Sequence, residues 1–409
     1  MRRQTPDATV KSQSSIRNAL GAGDGGGVVM RAQFSKNSKS HRCRRATAIW
    51  RVAAGPMRTL LLAVILGAAL AAAHALRAAE PDPVAAAEPD PARAAAAEPA
   101  LPTPRFLLTW GKEGTEPGEL YFPIGIAITS ADEILVTDHY NNRVQKFSSD
   151  GKLLDHFAVL PNPGGIALDK AGNIYLAHFP AAVINKERHP DRLTVYSPAG
   201  KLLHEWGKSG TGPGEFNYPG GMVIAPNGRL YVADQTNHRI QVLDLEGRLL
   251  AAWGKHGTKP GEFGGNTNVK SRAGGPDFVA LDKKGNVYTT EAMDGRVQKF
   301  TADGEFLAAF GDLQDRPGSL GREFEAVPGM HGPVGICCDR HDRLWISTAG
   351  GRIQQFTSEG QYLRGFGEKQ GAEPGQFLAP HGLAIDSRGH LYVVDAYNHR
   401  IQKFDVGGQ

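Results

Sequence analysis

The chain has 409 residues, 41% hydrophobic and 22% charged, with 51 Gly and 26 Pro. That is room for one large or two ordinary domains with an ample core, and so much Gly without collagen periodicity points to a turn-rich, mostly β protein. The net charge of +4 joins two unlike parts: residues 1–58 carry 12 Lys/Arg and 2 Asp/Glu, leaving 34 basic and 40 acidic groups, or −6, downstream. The part able to fold is mildly acidic and has no basic footprint for a phosphate backbone, which argues against nucleic acid as a partner.

Residues 1–56 show no apolar periodicity and are rich in Ser, Gly and Arg. They read as a disordered basic tail or as translated sequence upstream of a start at Met57. From Met57 the chain runs MRTLLLAVILGAALAAAHALRAAE. Arg58, an apolar run from Leu60 to Ala73 and the small-x-small site Ala73-His74-Ala75 give residues 57–75 the form of a secretory signal peptide. The alternative is an uncleaved anchor, since 59–76 is an uncharged stretch near the spanning minimum and would tether the protein to the membrane. Either way the basic excess lies upstream, so the rest of the chain is expected outside the cytoplasmic membrane, periplasmic or secreted. Residues 76–104 are Ala, Pro and Glu with few large apolar groups and read as a linker. Of the three cysteines, Cys43 precedes the signal, and the adjacent Cys337 and Cys338 would point to opposite faces of a strand. No disulfide framework is expected, so stability must come from the core.

Residues 105–409 repeat. Six segments open with Pro and a short apolar run: Pro123, Pro163, Pro219, Pro276, Pro333 and Pro380. Fifteen residues after each Pro a second run ends, at Asp138, His178, Asp234, Glu291, Thr348 and Asp395. An Arg then opens a third run (Arg143, Arg192, Arg239, Arg296, Arg352, Arg400), and five copies add a fourth run ending in an aromatic residue. The runs are short, β-branched or aromatic and bounded by turn residues, which makes them strands. Four strands per unit at this period predict the blades of a β-propeller, here with six blades. The sixth copy lacks its fourth strand, and RFLLTWG at 105–111 matches KLLHEWG and RLLAAWG. The fold class expected is therefore all-β, a six-bladed propeller whose N-terminal strand completes the last blade and leaves no open ring edge.

Two copies carry His just before the third strand, in TNHRIQVL at His238 and YNHRIQKF at His399. The other four copies hold Asn142, Asp191, Gly295 and Gly351 there. These residue types tolerate positive φ, so a tight turn is favoured over a metal role. The six Arg residues read as scaffold, with a cross-strand ion pair expected opposite Asp138, Asp234 and Asp395, worth little if exposed.

YNNRVQKF, TNHRIQVL and YNHRIQKF, recurring in register, resemble the NHL-repeat family over about 104–409. The resemblance implies a six-bladed propeller that usually binds partners. It also brings in a more distant enzyme branch, the peptidyl-hydroxyglycine amidating lyases, and RNA-binding members.

What repeats builds the ring, so function is sought where the repeat breaks. The irregular segments are the loops into the first strands of blades four and five and the blade-two insertion FPAAVINKERHPDR at 179–192. All fall on loop types that emerge on one face, where binding residues concentrate. The residue after each opening Pro (Ile124, Gly164, Gly220, Asp277, Val334, His381) is expected at the channel mouth. With His178 and Glu291 at second-strand ends, His331 before blade five, and Tyr140, Tyr397, Arg188 and Arg272 in loops, Asp277 and His381 form the candidate binding set.

The favoured reading is an exported scaffold that binds a protein, peptide or glycan, leaning away from an enzyme. The alternative implied by the resemblance is a metal-dependent lyase or hydrolase. Amidating lyases hold zinc with three His, each following a strand-opening Pro. Only His381 fits that pattern, with His178, His331 or Asp277 to complete it, and three ligands with an open position are what catalytic zinc needs. No cofactor is predicted by the residues themselves, and zinc or calcium stays open. The chain shows no CxxCH, GxSxG, HExxH or Walker loop.

Overall fold

The computed structural model describes residues 101–179, 190–265, 274–327 and 330–407. The basic segment 1–56, the apolar segment 57–75 with its signal or anchor reading, most of the linker 76–104, and Arg188 and Arg272 lie outside the described residues. No helix among the described residues is long and apolar enough to cross a membrane.

Among these residues the strands form six antiparallel four-stranded sheets, the blades at 123–158, 163–206, 219–253, 279–310, 333–366 and 380–405. The fifteen-residue offset is the register of the first hairpin: Pro123 pairs with Asp138, Pro163 with His178, Pro219 with Asp234, Pro333 with Thr348 and Pro380 with Asp395. Blade four departs from it. Its inner strand is only Val279–Leu281, although the backbone of Asp277 and Phe278 still bonds Thr290. The strand Arg105–Trp110 pairs antiparallel with Arg400–Asp405 and supplies the fourth strand of blade six.

A blade cannot bury both of its faces alone, and the core lies between neighbours. Blades two and three share Tyr175, Leu193, Met222, Val232 and Leu243. Blades six and one share Ile126, Val136, Phe147, Tyr392 and Ile401, and corresponding clusters fill the other four seams. Loops running into five of the blades insert one more apolar side chain: Leu120, Phe216, Phe263, Leu320 and Phe377 are all fully buried. Inner strands approach closely at glycine. A Cβ on Gly125 would lie 2.4 Å from the Gly164 carbonyl oxygen, and one on Gly335 2.0 Å from that of His381.

The expected Asp–Arg pairs are present, but they are buried rather than exposed. Asp138, Asp234 and Asp395 are each 0% exposed, with the Arg143, Arg239 and Arg400 Nε 2.7–2.8 Å away. Each guanidinium also donates to carbonyls of the loop leading into its blade, Arg143 to Thr115, Glu116 and Glu119. The same Asp138 accepts from the Tyr121 N–H, Asn141 and Gln145. Burial pushes these carboxyls up, while their donors, Arg included, pull them back. The Arg persists opposite Thr348 because Arg352 pairs with Asp315 of the loop instead, at 3.1 Å.

Candidate functional site

The residue immediately before the first position of each inner repeat has positive φ in every blade: Phe122 (57°), Asn162 (58°), Tyr218 (65°), Gly275 (93°), Gly332 (88°) and Ala379 (45°). Left-handed backbone costs an L-residue about 1 kcal/mol, and the neighbouring blade supplies compensation. The Phe122 N–H donates to His399 Nδ1 (3.0 Å), the Asn162 N–H to Asn142 Oδ1 (2.9 Å) and the Tyr218 N–H to Asp191 Oδ1 (2.7 Å). His238 and His399 are left-handed turn residues, with φ 52° and 53°, as the sequence implied. Accepting a backbone N–H also puts the His399 proton on Nε2.

This reversal turns Phe122 and Tyr218 up onto the loop face, where aromatic side chains from five blades meet. Phe324 packs on Tyr397 (centroids 4.9 Å apart) and Tyr397 on Phe122 (5.1 Å). Phe122 meets Tyr140 (5.4 Å), His139 (6.1 Å) and His381 (5.6 Å). His139 then meets Phe179 (5.5 Å), which stacks on Tyr218 at 4.8 Å and 16°. Phe122, Tyr140, Phe179 and Tyr218 are half-buried, and Tyr397 is 38% exposed. The crown continues in polar form where Gln235 Nε2 donates to Asp277 Oδ1 at 2.7 Å. Phe179 and Gln235 occupy the room left by absent side chains, since a Cβ on Gly164 would meet Phe179 Cζ at 2.6 Å and one on Gly220 would meet Gln235 Nε2 at 2.5 Å.

The crown brings together Tyr140, Tyr397, His381 and Asp277 from the expected set. It does not include His178 or Glu291, which are both 1% exposed. His178 donates from Nδ1 to the Pro161 carbonyl (2.9 Å) and its Nε2 meets Thr194 Oγ1 (2.7 Å), so both ring nitrogens serve the blade interior. Burial pushes His178 down to about 4. Glu291 is the blade-four counterpart of Asp138, held by Arg296 at 2.9 Å and Gln298 at 2.7 Å. Ile124 and Val334, expected at the mouth, are buried as well, at 3% and 2%. His381 is half-buried and donates from Nδ1 to the Ala379 carbonyl at 2.8 Å. His331 is half-buried before blade five, its Nδ1 without a hydrogen-bond partner.

Among the described residues no group of three His, Cys, Asp or Glu side chains is arranged to hold a metal ion. With both His178 nitrogens engaged, His381, His178 and His331 do not fit a three-imidazole zinc centre. The residues that sequence reasoning missed are Phe122, His139, Phe179, Tyr218 and Phe324. For two of them a signal existed: the aromatic residue stands one place before the strand-opening Pro, not one place after it. His139 is 4% exposed, donates from Nδ1 to the Pro163 carbonyl (3.0 Å), and is pushed down to about 4 by burial, with His381 adding to the effect.

A second space of about 330 Å³ lies along the ring axis, walled by inner-strand side chains including Ile126, Met222, Phe278, Ile336 and Leu383. Cys337 and Cys338 also line it, and burial raises both thiols well above their ordinary value, so they are poor nucleophiles.

The family profile described as NHL repeat matches residues 120–147, 216–243 and 377–404, within blades one, three and six. Among curated proteins, the mouse (Mus musculus) E3 ubiquitin-protein ligase TRIM32 is 24% identical over 322 residues, covering 73% of this chain and 44% of that protein. The peptidyl-glycine alpha-amidating monooxygenase of the same organism is 27% identical over 141 residues, 30% of this chain and 13% of that protein. The chain thus spans less than half the length of these relatives. A solved structure from Bacteroides thetaiotaomicron, of unknown function, superposes with a TM-score of 0.54 at 17% identity, covering 74% of this chain and 75% of that one, a likeness of fold. The chain thus carries NHL repeats in register, set in a β-propeller of six blades among the described residues.

Proposed function

We propose that the protein is an extracytoplasmic binding scaffold that holds a protein or peptide segment on the aromatic crown. NHL propellers are interaction modules, which supports a protein partner. The observation that carries the reading is the half-exposed crown of Phe122, Tyr140, Phe179, Tyr218 and Tyr397 on a rigid ring. Aromatic side chains with polar tips bring large contact area at small entropic cost and are enriched at binding hot spots. Asp277, at the edge of the crown, adds a carboxylate, so the favoured ligand presents an Arg or Lys beside an apolar residue, with the cation over a ring face. The apolar segment 57–75, read as an export signal, motivates the extracytoplasmic part of the proposal.

Selection of random peptides on the purified protein, followed by calorimetry, tests the reading. Enriched peptides are expected to combine a basic and an apolar residue, and Tyr397→Ala is expected to weaken them at least tenfold with an unchanged melting temperature. A selection without consensus, or affinity indifferent to both Tyr397→Ala and Tyr140→Ala, would sink it. A fractionation experiment in the native host tests location: protein recovered in the cytosol would overturn the export part alone.

A further inference from the structure

The crown stands at the start of the first strands; at their far ends, where each turns back into the second strand, polar ties fasten the seams between blades. Tyr231 Oη donates to the Ala302 carbonyl across the three–four seam at 3.1 Å. Across the four–five seam Tyr288 Oη and Lys299 Nζ donate to the Ser358 carbonyl at 3.3 and 3.2 Å. Across the six–one seam Lys403 Nζ donates to the Ser149 carbonyl at 2.9 Å. The acceptors Ser149, Ala302 and Ser358 hold one equivalent place, in the turn between third and fourth strands.

The two–three seam departs from this plan at three positions. In the third strand, where blades four and six carry Lys299 and Lys403, blade two carries Val195, which is 2% exposed. Where Ser149, Ala302 and Ser358 stand, blade three carries Leu245, half-buried. The third departure is in the turn after the first strand. Five blades open that turn with Thr129, Asp169, Asp282, Asp339 or Asp386, each accepting the backbone N–H groups two and four residues on. Blade three has Ala225 there, followed by Pro226. All three changes replace a polar or small residue with an apolar one.

They accompany a pocket. A space of about 230 Å³ opens between the turns of blades two and three, walled by Ala171, Ile224, Ala225, Pro226 and Leu245. Leu245 packs on the core of the seam, yet the space beside it stays open. A cavity of about 150 Å³ with apolar walls admits benzene, so this one has room for a ring and a short chain. Two charged side chains border it. Asp169 spends its carboxylate on the Ala171 and Asn173 N–H groups, the Asn173 amide and the Tyr175 hydroxyl. Lys170, at the tip of the same turn, is exposed and has no carboxylate partner among the described residues.

From this juxtaposition we propose that the pocket of the two–three seam binds a small organic carboxylate, with an apolar body between the two turns and its charge on Lys170. The body is a phenyl ring or a branched alkyl group on a short chain, resting on Leu245, Pro226 and Ile224. Burying it supplies the affinity, since pockets for small ligands are mostly apolar with a few placed polar groups. Lys170 supplies the preference for an acid over its neutral analogues, because a complementary charge contributes more to specificity than to affinity. The site and the crown lie at opposite ends of the first strands, and neither reading depends on the other.

Titration of the full chain with 3-phenylpropanoate and, separately, with its uncharged amide tests this by ligand-observed NMR. The acid is expected to bind saturably with a dissociation constant of about 1 mM or tighter, and the amide more weakly. Lys170→Ala should weaken the acid about three- to fivefold, as loss of an exposed charge pair does, and leave the amide unchanged. Ala225→Asp and Leu245→Ser each install a residue that other blades hold in that place, so the ring should still fold, and thermal melting checks it. Each should weaken the acid by about tenfold or more, the first by opposing its charge and the second by removing a wall. No saturable binding of the acid, equal affinity for acid and amide, or affinity unchanged in an Ala225→Asp variant that melts as the parent does would each overturn the proposal.

Discussion

Acid should loosen the ring by way of His139 and His178. Both are almost fully buried, and burial pushes each down to about 4 from an ordinary value of 6.5. The unfolded chain therefore binds more protons than the folded one between those values. The stability at stake is fully present above about 6.5 and is lost as pH falls toward 4. At pH 5, still above the ordinary carboxylate range, each histidine costs about 2 kcal/mol, and the two together about 4 kcal/mol, at 1.36 kcal/mol per unit. That is a large share of the 5–15 kcal/mol typical of a folded domain. Urea unfolding at pH 7.5 and pH 5, on the parent and on His178→Gln, isolates the effect. Gln keeps an amide donor for Pro161 and an acceptor for Thr194 but does not titrate. The variant should be less stable at pH 7.5 and should lose about 2 kcal/mol less on going to pH 5. If parent and variant show the same pH slope, the buried neutral imidazole is not the source of acid sensitivity and the reasoning fails.

The buried clamps and the surface pairs should separate cleanly. Asp395→Ala leaves the Arg400 guanidinium uncompensated and should cost about 3 kcal/mol or more, whereas Asp405→Ala removes an exposed pair with Arg105 and should cost under about 1 kcal/mol; urea midpoints read both. Phe216→Ala empties a fully buried position between blades two and three and should cost about 3–5 kcal/mol by the same measurement. Gly125→Ala sets a methyl 2.4 Å from the Gly164 carbonyl oxygen, and a loss of about 1–3 kcal/mol is expected, seen as a lower melting temperature.

The blades were legible because strand pairing is written in spacing. The interval from Pro123 to Asp138, and its counterparts in four of the other five blades, is the length of a hairpin whose ends face each other, so register followed from counting. His238 and His399 could be assigned to turns because Asn, Asp and Gly in the equivalent places demand positive φ. The aromatic loop face was only half legible. Tyr140, Tyr397, His381 and Asp277 come together, but the residue that turns onto the face is the one before the proline, since that is where the backbone reverses. His178 looked like a free ligand at a strand end. Its burial depends on Thr194 and Pro161, partners that no local pattern ties to it. The crown itself joins loops far apart in sequence, and contacts of that kind leave no periodicity to read.

The closing strand has a consequence for synthesis. Arg105 and Asp405 are hydrogen-bonded across 300 residues, and Thr109 reaches the Ile401 carbonyl across 292. A strand made ahead of all six inner strands is thus paired with Arg400–Asp405, made after them. At about 5–20 residues per second it waits tens of seconds for its partner, its own edge unpaired throughout. Blades one to five can assemble in order as they emerge, each on the one before it. Blade six cannot, so the final step is a loop closure spanning the whole ring, slow by topology and exposed to association until it completes. A chain lacking Arg400–Asp405 would strand Phe106 and Trp110 without a sheet, so for this architecture that one strand decides whether the ring closes.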